Sequence, residues 1–227
     1  MRIIDERLKF STKDIKKFAG LKIINIFGTF NNNITTRLTM IYKFLPLILF
    51  CAFSFKPLNT ADLEKNVISN TDPKLIASNA KVALETKCKT FYTTIDANNL
   101  SLPKFDSFFA AFQGYEQLKA QGKITNEILT VIDFSLSSIE ERMWVIDMKT
   151  QKVILKSLVA HGRNSGVEFA TNFSNENESY KSSLGFYLTG EVYQGKHGLS
   201  LRLDGMEYGI NDKARDRAVV IHGADYV

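Results

Sequence analysis

The sequence predicts an α+β protein, with a small helical N-terminal region followed by a mostly β domain. Two observations carry this expectation. Apolar residues recur at intervals of three and four as far as Gly122, and after Lys123 the chain breaks into short β-rich runs separated by turn residues. Bulk composition permits it, since 227 residues with 44% apolar content can bury a full core.

The N-terminal segment is set apart by its charge. Residues 1–43 hold nine Lys/Arg against three Asp/Glu, net +6. The rest hold twenty against twenty-one, net −1, and the two add to the formal +5 of the chain. The basicity therefore says nothing about the folded part. No Arg/Lys stripe interleaved with aromatics follows it, so nucleic acid is not expected as a partner.

Lys43 precedes FLPLILFCAFSF, twelve residues broken only by Pro46 and Ser54. A spanning helix needs about 20 apolar residues, whereas the core of an export signal needs about 7 to 15. Ala52-Phe53-Ser54 offers a small-x-small cleavage site. Residues 40–55 are thus expected to be a signal peptide starting at Met40. Residues 1–39 would be a basic N-terminal extension or an over-long start, and no stable membrane span would remain after signal removal. The alternative is a buried core helix. The bulky Phe50 before Cys51 does not suit a lipoprotein site. Removing the signal leaves only Cys88, and one thiol builds no disulfide framework.

Residues 56–127 read as the helical region. Asp72-Pro73 has the form of an N-cap followed by proline at the first helical position, and KLIASNAKVALETKCKTFYTTI continues as a mildly amphipathic helix. In the next helix Phe105, Phe108, Phe109, Phe112, Tyr115 and Leu118 share one face, with Gly122 as its C-terminal stop. Such an aromatic stripe reads as core. Cys88 is expected as a small buried apolar residue.

Residues 128–227 read as the β domain. ILTVIDF, MWVIDMK, VILKSLVAHG, LGFYLTGEVY, LSLRLDG and AVVIHG are its candidate strands, with a hairpin across KTQK. Between Gly162 and Ser183 runs RNSGVEFATNFSNENESYKSS, a polar loop long enough to suggest a lid or binding loop. Asp204-Gly205 and Asn211-Asp212 read as turns.

The candidate chemistry lies in three histidines, His161, His197 and His222, each followed by glycine. They could hold zinc with water in an open position, although their spacings anchor no such site. His222 could instead be a base. It ends an apolar strand, which holds its ring rigidly, and Gly223 leaves room for a substrate beside it. Such a base needs a serine or cysteine partner, and no G-x-S-x-G elbow surrounds Ser182 or Ser183. Each pair could also be merely a turn.

The strings VAHGRNSG, YQGKHGLSLRLDG and VIHGADYV, within the stretch from Trp144 onward, resemble the murein L,D-transpeptidase catalytic domain family, relatives of the YkuD-type enzymes. PKFDSFFAAFQGYEQLKAQGKI is similar to the segment that precedes the catalytic domain there. The resemblance implies a mostly β, YkuD-like fold in a protein exported to the bacterial periplasm or cell envelope. It implies cysteine acyl transfer on peptidoglycan stem peptides, with no cofactor. His222, with Gly223 beside it, maps to the base that activates the thiol. Lys196, His197 and Arg202 surround a family-like string and are expected to meet the stem-peptide carboxylate, with Tyr193 stacking on substrate. His161 and Arg163, with Asn164, open the polar loop and are expected to touch substrate.

The family's cysteine belongs to a Ser-x-Gly-Cys string well downstream of the strand-end histidine, and Val227 is reached first. The chain is therefore expected to be incomplete at its C-terminus, truncated before the nucleophile and inactive as given. The alternatives are a non-catalytic cell-wall binding module and, less favoured, a three-histidine zinc hydrolase.

Overall fold

The computed structural model describes residues 23–27 and 73–223. The expected signal peptide lies outside the described residues, as does Asp72. One compact unit comprises residues 1–29 and 81–227. The other, residues 30–80, is described only from Pro73.

In chain order the elements are β1 (Ile23–Phe27), α1 (Pro73–Thr94), α2 (Phe105–Ala120), β2 (Ile128–Asp133), β3 (Met143–Asp147), β4 (Lys152–Ser157), β5 (Gly185–Gly195), β6 (Gly198–Gly205) and β7 (Val220–His222). The predicted α+β architecture is present: a small helical region precedes a mostly β domain. All six candidate strands form. A seventh, β1, comes from the basic N-terminal segment, where no strand is expected from the sequence.

α1 begins on Pro73, whose fixed φ and missing N–H cost nothing in a first helical turn. α2 ends as its sequence predicts. Gly122, at φ +67, donates its N–H to the Lys119 carbonyl at 3.0 Å, and Lys123 donates to Leu118 at 3.0 Å. That pair of bonds closes a helix end only when the residue between them is left-handed, which glycine permits. The aromatic stripe is core: Phe108, Phe112, Tyr115 and Leu118 are buried. Phe91 and Tyr92 of α1 pack their rings onto Phe108 at 6.2 and 5.4 Å.

The seven strands make one sheet, ordered β4-β3-β2-β1-β5-β6-β7. β1 runs parallel to β2 and antiparallel to β5, and the other neighbours are antiparallel. Alternate residues on a strand face opposite sides, and each side carries its own core. The helices cover a cluster that takes in Leu129, Val131, Trp144, Ile146 and Val153 of the sheet. The opposite cluster holds Ile132, Val145, Tyr187, Leu201, Leu203 and Ile221, with Ala170 and Leu184 from the polar loop and its exit. The loop therefore packs on the side to which Ile221 points, and the next residue, His222, points to the other. Among the described residues no helix is long and apolar enough to cross a membrane.

Candidate active site

Register decides which predicted site residues meet. Ser200 of β6 lies opposite Tyr193 of β5 and opposite His222 of β7. Directly opposed residues share a face, so Tyr193, Ser200 and His222 form a polar row across three strands. Arg202, two residues along β6, joins them, and its guanidinium sits 4.4 Å from the centre of the Tyr193 ring. His197 comes from the tip of the β5–β6 hairpin, with Lys196 exposed beside it. The two imidazoles stack, with centroids 4.9 Å apart and planes at 25°.

His222 is 1% exposed. Its Nδ1 lies 2.9 Å from the Gly223 carbonyl. A carbonyl only accepts, so Nδ1 carries the proton of the neutral ring and Nε2 keeps its lone pair. Nε2 is buried and has no hydrogen-bond partner among the described residues. An imidazole held in that tautomer is a base with a defined direction.

The charged surroundings are nearly self-neutralising. Arg202 Nε donates to Glu191 at 2.8 Å. Arg215 donates to the same carboxylate at 3.0 and 3.1 Å and grips Asp204 through both its Nε and Nη2. These contacts, chiefly the Arg215 guanidinium, hold the Glu191 carboxyl below its ordinary range, and Asp204 first, then Glu191, raise Arg215. The side chains are well exposed, so the network fixes orientation more than it adds stability. Gly190 makes room for it at a bulge in β5, because a Cβ there would lie 2.7 Å from Arg215 Nη2.

His161 and Arg163 belong to other surroundings. The fully buried Arg142 donates to the Val159 carbonyl at 3.0 and 2.8 Å, to Leu136 at 2.8 Å and to His161 Nδ1 at 2.8 Å. His161 Nε2 in turn donates to the Gly166 carbonyl at 3.1 Å. This chain of bonds fixes the start of the polar loop. Arg163 stacks on Tyr180, 3.7 Å from the ring centre. Arg217 ties down the far end of the loop, donating to Ser174 at 2.7 Å and Lys181 at 2.6 Å. Three histidines do not converge, and no group of three or more His, Cys, Asp or Glu suited to a metal occurs among the described residues.

Ser200, Arg142 and Arg217 were not singled out by the sequence. Ser200 could have been, because LSLRL alternates and places it on the face of Arg202. The two arginines carry no such signal, since arginine ordinarily marks the surface.

The L,D-transpeptidase catalytic domain family matches residues 99–227, more than half of the chain. The chain belongs to this family. No curated protein and no solved structure matched it. The matched part of this L,D-transpeptidase-family chain takes in α2 and β2 to β7, and hence the whole polar row. β1 and α1 lie ahead of it.

Cys88 is as the sequence predicts, a small side chain sealed in the helix-side core. Burial, then the nearby Glu85 and Glu116 carboxylates, push its thiol up to about 12. A thiol that stays protonated at neutral pH is neither a nucleophile nor a metal ligand. Iodoacetamide at pH 8 should leave Cys88 unlabelled in the native chain and label it after unfolding, as read by peptide mapping. Because the folded-state value lies above the ordinary one near 9, the neutral thiol contributes stability below pH 9. That contribution should fade as pH climbs towards 12.

Proposed function

We propose that this domain is exported and catalyses L,D-transpeptidation of peptidoglycan stem peptides, with His222 as the general base. The supporting observation is the Nε2 lone pair, aimed by the Nδ1–Gly223 bond and set in a row with Tyr193 and Arg202. The reaction class calls for a cysteine thiol as nucleophile, a part that the sealed Cys88 does not play. His222 Nε2 takes the thiol proton. The thiolate attacks the carbonyl of the donor's third residue, and the terminal D-amino acid leaves with the proton from the imidazolium. An acceptor amine then attacks the thioester, gives its proton to Nε2, and regenerates the thiol. The exposed Lys196 supplies positive charge for the stem-peptide carboxylate, while Arg202, paired with Glu191 and lying over Tyr193, lines the row with its remaining N–H groups. His161 and Arg163 contribute through the fixed polar loop.

The test is incubation of a thiol-bearing form with tetrapeptide-rich sacculi, followed by mass spectrometry of the muropeptides. Release of one D-amino acid per new linkage at the third residue is expected. The silent Cys88 favours a second reading for the 227-residue chain alone, a wall-binding module without chemistry. For that chain, retention on sacculi with no D-amino acid release is expected. If the thiol-bearing form also binds without release, the binding module is the function.

A further inference from the structure

We propose that His197 is a positioning residue, whose ring clamps the His222 imidazole in the orientation that presents Nε2. This rests on His222 being the base. Among the described residues, the Nδ1–Gly223 contact at 2.9 Å is the hydrogen bond that holds that ring. A single bond to the adjacent residue's carbonyl fixes the tautomer, but the orientation of this buried ring about Cβ–Cγ depends on what packs against its face. A half-turn would put carbon where each nitrogen now stands, and the base would point away from its substrate.

The hairpin prevents this. β7 ends at His222, opposite Ser200, whereas β6 starts two residues earlier at Gly198. The turn that precedes Gly198 therefore lies beside the end of β7, and His197 lays its ring along the His222 ring at 4.9 Å and 25°. Near-parallel rings at that separation attract each other and exclude rotation of either through the space between them. Gly198 sets the placement. At φ +86 it adopts the left-handed conformation that closes this kind of hairpin, with no atom within 4 Å of where a Cβ would stand. Its glycine is needed for backbone shape and not for clearance. On this account the His-Gly pair at the hairpin tip and the one at the strand end are two halves of one device, the first holding the second.

The readout is nitrogen NMR of histidine-labelled chain. In the unaltered chain His222 should show one tautomer, protonated at Nδ1. His197→Ala should give exchange-broadened or mixed tautomer signals for His222. His197→Phe, which keeps a flat ring and loses the nitrogens, should restore the single tautomer. In a thiol-bearing form, kcat for His197→Ala should fall about ten- to a hundred-fold with KM changed little, and His197→Phe should recover most of it. Thermal melts identify any variant that simply fails to fold, and Gly198→Ala, which strains the same turn, then supplies the same readout. An unchanged His222 spectrum in folded His197→Ala overturns the proposal. So does rescue by His197→Gln but not by His197→Phe, which would make the nitrogens and not the ring the working part. If the tautomer responds as expected while no variant or parent transfers acyl groups, the clamp stands and the transpeptidase assignment falls.

Discussion

His222→Ala, made in a thiol-bearing form of the domain, should lower acyl transfer by about a hundred- to ten-thousand-fold, the span usual for losing a general base. The effect should fall on kcat, because the methyl group that replaces the ring removes the proton acceptor and leaves the Tyr193–Arg202 surface in place. The thermal midpoint should change far less. Nε2 makes no hydrogen bond among the described residues, so the variant strands no polar partner there apart from the part-buried Gly223 carbonyl. The measurement is initial-rate release of the D-amino acid at saturating donor, with a thermal melt on the same sample. A rate within threefold of the parent would remove His222 from the mechanism.

Asn25→Pro should produce the largest structural effect in the molecule. Asn25 lies opposite Val131 on one side and Phe186 on the other, in the middle strand of seven. Proline there removes a ladder N–H and sets its ring against the neighbouring backbone. In a central strand this costs about 3 kcal/mol or more. Because β1 alone joins β2 to β5, the loss should spread to both. Hydrogen exchange should show lost protection over Leu129–Asp133 and Gly185–Tyr187, while Asn25→Val, at ease in a strand, keeps it. The result also bears on export. Cleavage after Ser54 would separate Ile23–Phe27 from the rest of the chain, so a domain that keeps full protection in the proline variant completes its sheet without β1. A domain that loses it, the expected result, requires the N-terminal strand in place, and its export would then proceed without cleavage after Ser54.

The reasons for what the sequence disclosed are local. Six strands were legible because each is a β-branched or aromatic run bounded by glycine, lysine or aspartate turns, and α2 was legible because its stripe ends at a glycine that must be left-handed. β1 carries the same kind of signal in KIINIFG, with three isoleucines and a closing glycine. It is set among lysines and ahead of an export-like run, a context that marks a leader and not a central strand. His222 stood out because a histidine ending an apolar strand has few other uses. Its stack with His197 did not, since 25 positions separate them (222 − 197) and only the β6–β7 register brings the hairpin tip alongside. The division of the histidines between two faces was equally hidden. His161 and His222 look alike as His-Gly pairs, yet one spends both nitrogens on Arg142 and Gly166 and the other keeps Nε2. That difference was decided by Arg142, a charged residue whose burial no local pattern announces.

The most direct measurement is chemical-shift mapping of the 227-residue chain titrated with a soluble muramyl tetrapeptide. The account predicts saturable shifts confined to the rim of β5, β6 and β7, strongest at His222, His197, Ser200, Tyr193 and Arg202, with α1 and the β3–β4 hairpin silent. Shifts centred anywhere else, or none at a concentration of peptide that decorates intact sacculi with the same chain, would contradict it.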